Sequence, residues 1–432
     1  MKVLLVSENR CMENLVPFPL GIAYVVAAAE QAGHEVMGLD LMFPEDPLRE
    51  IALRIREFQP DCVGLSVRNI DNQDMHAGEF YLPHVREVFS AIKSETASPV
   101  VLGGAGFTIY PLECLDYLDA ETGIVGEGEA PFLKFLECLA AGRDPRDLPG
   151  VAVRRNGMRK VNPAAPYADL NHLPPPDRTA FDVGRYNWVP GNTPAFVANL
   201  QSRRGCHMRC IYCPNPLLEG RAIRLRDPVS VADEMQSLEE EHGIGFVIFT
   251  DSLFNYPGDY CGALCREIAG RDLSLRWACS FTPVNPDPGL LESMREAGCT
   301  ILSIGNESGS EDMLTALRKG FSKDDIVRSV GEAQRIGFKL TCFLLLGGPG
   351  ETRKSVEESV EFLSELGADM VTVTVGIRIY PGCELHEISL KEGVVSPGQN
   401  LLYPTFYLAP EVAPWLRDYM VEVCGERRGW EL

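Results

Sequence analysis

Twice along this chain, short and largely apolar runs alternate with segments of helical period, and a proline-rich stretch separates the two series. In the first series, strands are predicted over residues 2–6, 35–41, 61–67, 100–102 and 124–125. Helices are predicted over 20–32, 47–58, 81–93 and 130–140, the first of them stopping at Gly33. Strands that are apolar throughout are buried on both faces, which is the pattern of a parallel sheet covered by its crossover helices. Residues 1–145 are therefore predicted to form a doubly wound, Rossmann-like α/β domain. Residues 146–194 carry Pro174, Pro175 and Pro176 in a row and lose the periodicity. They read as an ordered connector, since Phe181, Tyr186 and Trp188 require burial, with one hairpin over 151–161 turning at Asn156-Gly157. The alternation returns in strands over 196–201, 246–250, 276–281, 300–304, 340–346 and 370–377, with helices over 229–242, 288–297, 323–336 and 354–366. Six strand–helix units predict a partial (β/α)6 barrel over 195–388 rather than a closed eightfold one. Residues 389–432 are irregular and aromatic, with a short helix over 411–424, and read as either a lid on the barrel or a substrate wall.

Parallel α/β architectures gather their chemistry at the carboxyl ends of the strands. In the first series those ends carry Ser66, Arg68 and Asn69, then Gly103-Gly104, then Gly126-Glu127-Gly128. Bare backbone there admits a large flat or phosphate-bearing ligand. Tight turns alone would explain one such loop, but poorly explain three on one rim. No G-x-G-x-x-G follows the first strand, which disfavours a nicotinamide cofactor.

The second series marks its strand ends more sharply. Its first strand runs through Arg203, Arg204 and Gly205 into Cys206-His207-Met208-Arg209-Cys210-Ile211-Tyr212-Cys213. Three thiolates from one tight loop can hold three irons of a [4Fe-4S] cubane and leave the fourth open. A structural zinc would need a fourth ligand from a matching pair. His207 is wedged between the first two cysteines, and no second Cys-x-x-Cys follows. Later strand ends bear Asp251-Ser252, then Gly305-Asn306-Glu307-Ser308-Gly309, then Gly347-Gly348-Pro349-Gly350-Glu351, and last Arg378 with Tyr380-Pro381-Gly382. Among the other cysteines, Cys62, Cys114, Cys138, Cys299 and Cys342 lie in apolar runs and read as small core residues. Cys261 and Cys265, one helical turn apart, read as packing.

The cysteine spacing, with an aromatic residue before the last thiol, resembles the radical S-adenosylmethionine (radical SAM) superfamily. The order Glu307-Ser308-Gly309-Ser310, Lys319-Gly320, Gly348-Pro349-Gly350-Glu351-Thr352 is similar to the core shared by its cobalamin-binding members. The start at Leu20-Gly21, the Ser66 loop, the double glycine and Gly126-Glu127-Gly128-Glu129 resemble the cobalamin domain fused to many of them. The resemblance implies three cofactors: a [4Fe-4S] cluster on Cys206, Cys210 and Cys213, SAM, and cobalamin. It implies SAM contacts from Tyr212, Asp251, Ser252, Glu307, Ser308, Gly347 and Gly348. Asp251-Ser252 would take the ammonium group, Glu307 the ribose hydroxyls, and Gly347-Gly348 the adenine. Each has a plainer rival: Glu307 could pair with Lys319 or Arg318, and Glu351 with Thr352 could cap a helix. Cobalamin would meet Leu20, Gly21, Ser66, Arg68, Asn69, Gly103, Gly104, Gly126, Glu127 and Gly128, facing the cluster across the gap between the two rims.

One departure from the mutase type of cobalamin site is plain. The loop Ser7-Glu8-Asn9-Arg10-Cys11 has no histidine, so no histidine is expected on cobalt; His34 reads as a turn residue. Arg68, which cannot ligate a metal, would lie toward the lower face or else pair with Asp71 or Asp74.

The activity so implied is methyl transfer from SAM by way of methylcobalamin to a carbon of a small-molecule substrate, either through a 5′-deoxyadenosyl radical or by a polar route. A cobalamin-dependent rearrangement or cyclisation without methyl transfer is the alternative, and a B12 or SAM sensor without turnover is the non-enzymatic one. Methylthiotransferases share the cysteine spacing, but Cys11, Cys62, Cys114 and Cys138 lie on separate elements and do not form their second cluster. An electron donor such as flavodoxin or ferredoxin is expected as a partner. With 61 acidic against 40 basic residues the formal charge is −21, which disfavours a phosphate backbone as partner. The first strand is too short for a signal peptide or membrane span, and 14 cysteines without such a signal fit reduced thiols in the cytoplasm.

Overall fold

The computed structural model describes residues 1–9, 17–155, 157–188, 195–284 and 287–432. Arg10, Cys11, Asn156 and the Trp188 side chain, which figured in the expectations above, lie outside what is described. The chain divides into two compact units, one of residues 1–72, 78–194 and 217–219, the other of 73–77, 195–216 and 220–432.

In the first unit the parallel strands are β1 (Lys2–Ser7), β2 (Glu35–Asp40), β3 (Cys62–Ser66), β4 (Val100–Gly103) and β5 (Thr122–Ile124), in the order β2-β1-β3-β4-β5. Val3, Leu4, Leu5 and Val6 are all buried, as a strand covered on both faces must be. The helix Pro47–Phe58 shows why helices start where they do: Asp46 caps it by accepting from the Arg49 amide, and Pro47 occupies the first turn. Between β4 and β5 the chain forms two short helices, Ala105–Ile109 and Pro111–Leu118, that the apolar pattern did not reveal.

The connector differs from its expectation. The strands β6 (Val151–Arg155) and β7 (Met158–Val161) form the foreseen hairpin, but β6 pairs antiparallel with β5 and extends the sheet. The far edge of β5 would otherwise leave backbone groups without partners. Phe181 and Tyr186 are buried in the same unit, both edge-on to Phe18, and the Tyr186 hydroxyl donates to Asp40. The described connector residues as far as Tyr186 thus pack as part of the first unit, while Asn187–Trp188 adds to the sheet of the second.

The second unit carries β8 (Ala195–Leu200), β9 (Phe246–Phe249), β10 (Arg276–Phe281), β11 (Cys299–Glu307), β12 (Lys339–Leu346) and β13 (Met370–Val375), parallel and side by side in chain order. Among the described residues β8 and β13 do not pair, so the barrel is partial. The tail joins the barrel by strand pairing: β14 (Trp430–Glu431) adds to β13, and Phe406–Tyr407 pairs with Ile377–Arg378. Trp277, Phe249 and Phe254 pack ring against ring in the core. β11 runs three residues beyond its predicted end, and its register against β12 slips between Ile304 and Glu307. All cysteines among the described residues are free thiols, and no described helix is long and apolar enough to cross a membrane.

Candidate functional site

The cysteine loop is seated by backbone contacts from three directions. Cys206 N donates to Gly220 O at 3.1 Å, Ile211 N to Leu317 O at 3.3 Å, and Leu385 N to Ile211 O at 2.9 Å. Gly205 has φ +96°, and a Cβ there would stand 2.1 Å from Ala222 O, so only glycine lets the loop lie against residues 220–222. Cys206 is buried; Cys210 and Cys213 are half-buried. Burial, with Cys210 and Cys206 as neighbours, pushes the Cys213 thiol up to about 11. A buried Cys213 thiol beside two further sulfurs on one loop fits the charge of an iron cluster, which stabilises thiolates. No three His, Cys, Asp or Glu side chains among the described residues converge closely enough to hold a single metal ion. His207 is exposed and lies against the Tyr256 ring, centroids 4.4 Å apart.

Beside the loop stands an ion pair joined by a phenol. Tyr212 Oη donates to Glu307 Oε1 at 3.0 Å, and Lys319 Nζ lies 3.1 Å from Tyr212 Oη and 3.3 Å from Glu307 Oε1. Of the two partners foreseen for Glu307, Lys319 is the one it meets; Arg318 turns outward to Glu384 at 2.6 Å. The bulge in β11 puts Glu307 at φ +63°, a conformation that a side chain adopts only under constraint, and re-aims its carboxylate. Burial, then the neighbouring Glu307 and Cys210, raise the Tyr212 hydroxyl well above its usual range.

Two of the expected SAM contacts, Asp251 and Ser308, are buried side chains bonded within the protein. Asp251 is sealed from solvent: it accepts from Ser202 N at 2.8 Å and from the Ser202 hydroxyl, and its Oδ2 pairs with Arg203 Nε at 3.4 Å. It anchors the start of the cysteine loop and has no face left for an ammonium group. Ser308 is likewise fully buried, with its hydroxyl 2.9 Å from Ser359 Oγ. Ser252 is half-buried and hydrogen-bonded to the Asn215 amide. The side of Gly347 on which a Cβ would stand is filled by Leu408, and that of Gly348 by Met313, Leu317 and Ile377. Glu351 is neither a helix cap nor exposed: it holds Gly347 N and Ser355 Oγ, while Thr352 caps the helix Arg353–Leu366.

Arg203 went unassigned on the sequence beyond its place before the loop. It is fully buried, paired with Asp251, donates to Tyr256 O, and lies over the Phe254 and Tyr260 rings. Its position three residues after the end of β8 was the only signal for it.

In the first unit the three strand-end loops, two of them glycine-bearing, meet on one rim. Gly106 N donates to Val67 O and Arg68 O, and Val67 N to Gly103 O, which ties the end of β3 to that of β4. The Thr108 hydroxyl donates to Gly104 O at 2.9 Å and accepts from Gly126 N at 3.0 Å, which ties β4 to β5. Gly104 has φ +98° and a Cβ there would strike Val67 O at 2.6 Å. A Cβ at Gly21, Gly103 or Gly126 would meet nothing, and one at Gly128 would touch only Val25. This open backbone rim fits a bulky ligand such as a corrin. Leu20 is buried at the start of its helix; Ser66, Asn69 and Glu127 are half-buried; Arg68 is exposed, its Nη1 3.1 Å from the Asn69 amide oxygen. Thr108 escaped the sequence reading because a threonine in a helix carries no mark of the loops it joins.

Comparison with known proteins covers both units. The radical SAM superfamily matches residues 200–363, and the B12 binding domain matches residues 14–136. An uncharacterized methyltransferase of Pyrococcus horikoshii is 25% identical over 91% of this chain and 84% of its own length. Tryptophan 2-C-methyltransferase of Streptomyces laurentii is 28% identical over 88% of this chain and 73% of its own. The solved structure of the radical S-adenosylmethionine methyltransferase TsrM from Kitasatospora setae, with cobalamin and a [4Fe-4S] cluster bound, superposes with a TM-score of 0.85 at 23% identity over 100% of this chain and 90% of that one.

Proposed function

The chain belongs to the B12-binding radical SAM enzymes, and on that premise we propose that it moves a methyl group from SAM, by way of cobalamin, to a carbon of a small-molecule substrate. The observation that carries this reading is the presence on one chain of a three-thiol loop and an open glycine rim, each within the family region that predicts it. When bound, the [4Fe-4S] cluster supplies a single electron and an iron with room for SAM, and cobalamin carries the methyl group.

The residues divide the work. Cys206, Cys210 and Cys213 hold the cluster. Glu307 faces the SAM ribose, Tyr212 and Ser252 border the same nucleoside, and the backbone at Gly347-Gly348 borders the adenine. Asp251 and Ser308 keep the rim in shape without touching SAM. In the first unit Leu20, Gly21, Ser66, Asn69, Gly103, Gly104, Gly126, Glu127 and Gly128 line the corrinoid, and Arg68 brings a cation that cannot ligate cobalt. Flavodoxin or ferredoxin in the cytoplasm supplies electrons.

The test is anaerobic reconstitution with iron, sulfide, cobalamin and SAM bearing a deuterated methyl group, then incubation with dithionite and candidate acceptors. Tryptophan, the substrate of the Streptomyces and Kitasatospora relatives, is the first acceptor to try. S-adenosylhomocysteine with a labelled product supports the proposal. 5′-Deoxyadenosine with an unlabelled, altered substrate would show rearrangement instead, and retained ligands without any product a sensor.

A further inference from the structure

Lys319 is an ammonium group inside the barrel, and its surroundings are built to keep it there. The helix Glu311–Ala316 ends in a turn where Arg318 has φ +55° and Gly320 φ +72°, which throws Arg318 outward and Lys319 inward. Lys319 N bonds Leu314 O at 3.0 Å, and Leu317 O of the same turn receives Ile211 N of the cysteine loop. The turn that carries the cation therefore also carries the loop. Nζ lies 5.7 Å from the Tyr212 ring centroid, and Tyr212 stands between Cys210 and Cys213 in sequence. Its counter-anion, Glu307, is held in a constrained backbone conformation by the β11 bulge.

A strained carboxylate and a buried ammonium are costly, so the arrangement needs a reason beyond loop shape. One-electron reduction adds a negative charge to an iron–sulfur cluster, and a nearby buried cation stabilises the reduced form. We infer that Lys319, positioned by Glu307 and Tyr212, is the cation that sets the reduction potential of the cluster on the cysteine loop. Glu307 carries the opposite charge, so the two groups act on the cluster in opposite senses. Lys319 is a positioning residue for charge and moves no proton. The inference rests on the cluster assignment proposed above.

The test is a potentiometric titration of the cluster-loaded protein with SAM omitted, followed by the electron paramagnetic resonance signal of the reduced cluster. Lys319→Met should lower the reduction equilibrium about tenfold, about 59 mV for a one-electron couple. Lys319→Arg should stay near the wild type, and Glu307→Gln should move the midpoint in the positive direction. Opposite signs in the two charge variants support the inference, because a merely loosened loop would shift both alike. Unchanged midpoints at full iron content, or shifts of the same sign, overturn it. If Lys319→Met takes up no iron, Glu307→Gln decides alone: a positive shift supports, and no shift or a negative one overturns. Failure of the cluster assignment would look different, since the wild type itself would then take up no four-iron cluster.

Discussion

Asp251 and Arg203 form an ion pair in the barrel wall, Oδ2 to Nε 3.4 Å, with neither side chain reaching solvent. Removing one charge leaves the other buried and uncompensated, which typically costs about 3–5 kcal/mol. Asp251→Asn should therefore destabilise the cluster-free protein by that order in urea unfolding and lower iron uptake. Were Asp251 a SAM contact, the substitution would weaken SAM binding at unchanged stability, and calorimetry separates the two.

Cys206→Ala should abolish the brown iron–sulfur chromophore while cobalamin uptake continues. Iron analysis and the corrin absorption spectrum read the two independently. Loss of both together would sink the assignment of cluster and corrinoid to separate units.

Gly205→Ala places a methyl group on the Ala222 carbonyl, in a backbone conformation that alanine resists. The loop must shift to accommodate it. The expected outcome is a folded protein that binds several-fold less iron, with far-ultraviolet circular dichroism as the control.

Thr108→Val keeps the side-chain shape but removes the hydroxyl that joins Gly104 O to Gly126 N. A donor left without its partner costs about 1–3 kcal/mol. Thermal unfolding should register that loss, and cobalamin affinity should fall while iron content is unchanged.

Burial pushes the Asp40 carboxyl up to about 6, against hydrogen bonds from Met42 and Ser7. The folded form then holds a proton near pH 5 that the unfolded chain has released. Stability contributed at this site is full below the ordinary carboxylate value and falls as pH rises from about 4 to about 6, by on the order of 3 kcal/mol. Asp40→Asn should flatten that part of the stability–pH curve, measured by urea unfolding at stepped pH.

Much of this molecule is local and so was readable in order along the chain. Apolar runs located the parallel strands of both units, because at least one face of each is buried. The cysteine spacing located the cluster loop, and glycines at strand ends located the open rim. Partnership is another matter. Tyr212 and Lys319 are 107 residues apart, and Ser308 and Ser359 are 51 apart. Whether Asp251 met a ligand or an arginine, and whether the hairpin at 151–161 was linker or sheet edge, depended on what lay beside each once the chain had closed on itself. A hydrophobic period records which face is buried but not which polar group waits there, so the strands followed from the sequence and the wiring of the charged site only from tertiary packing.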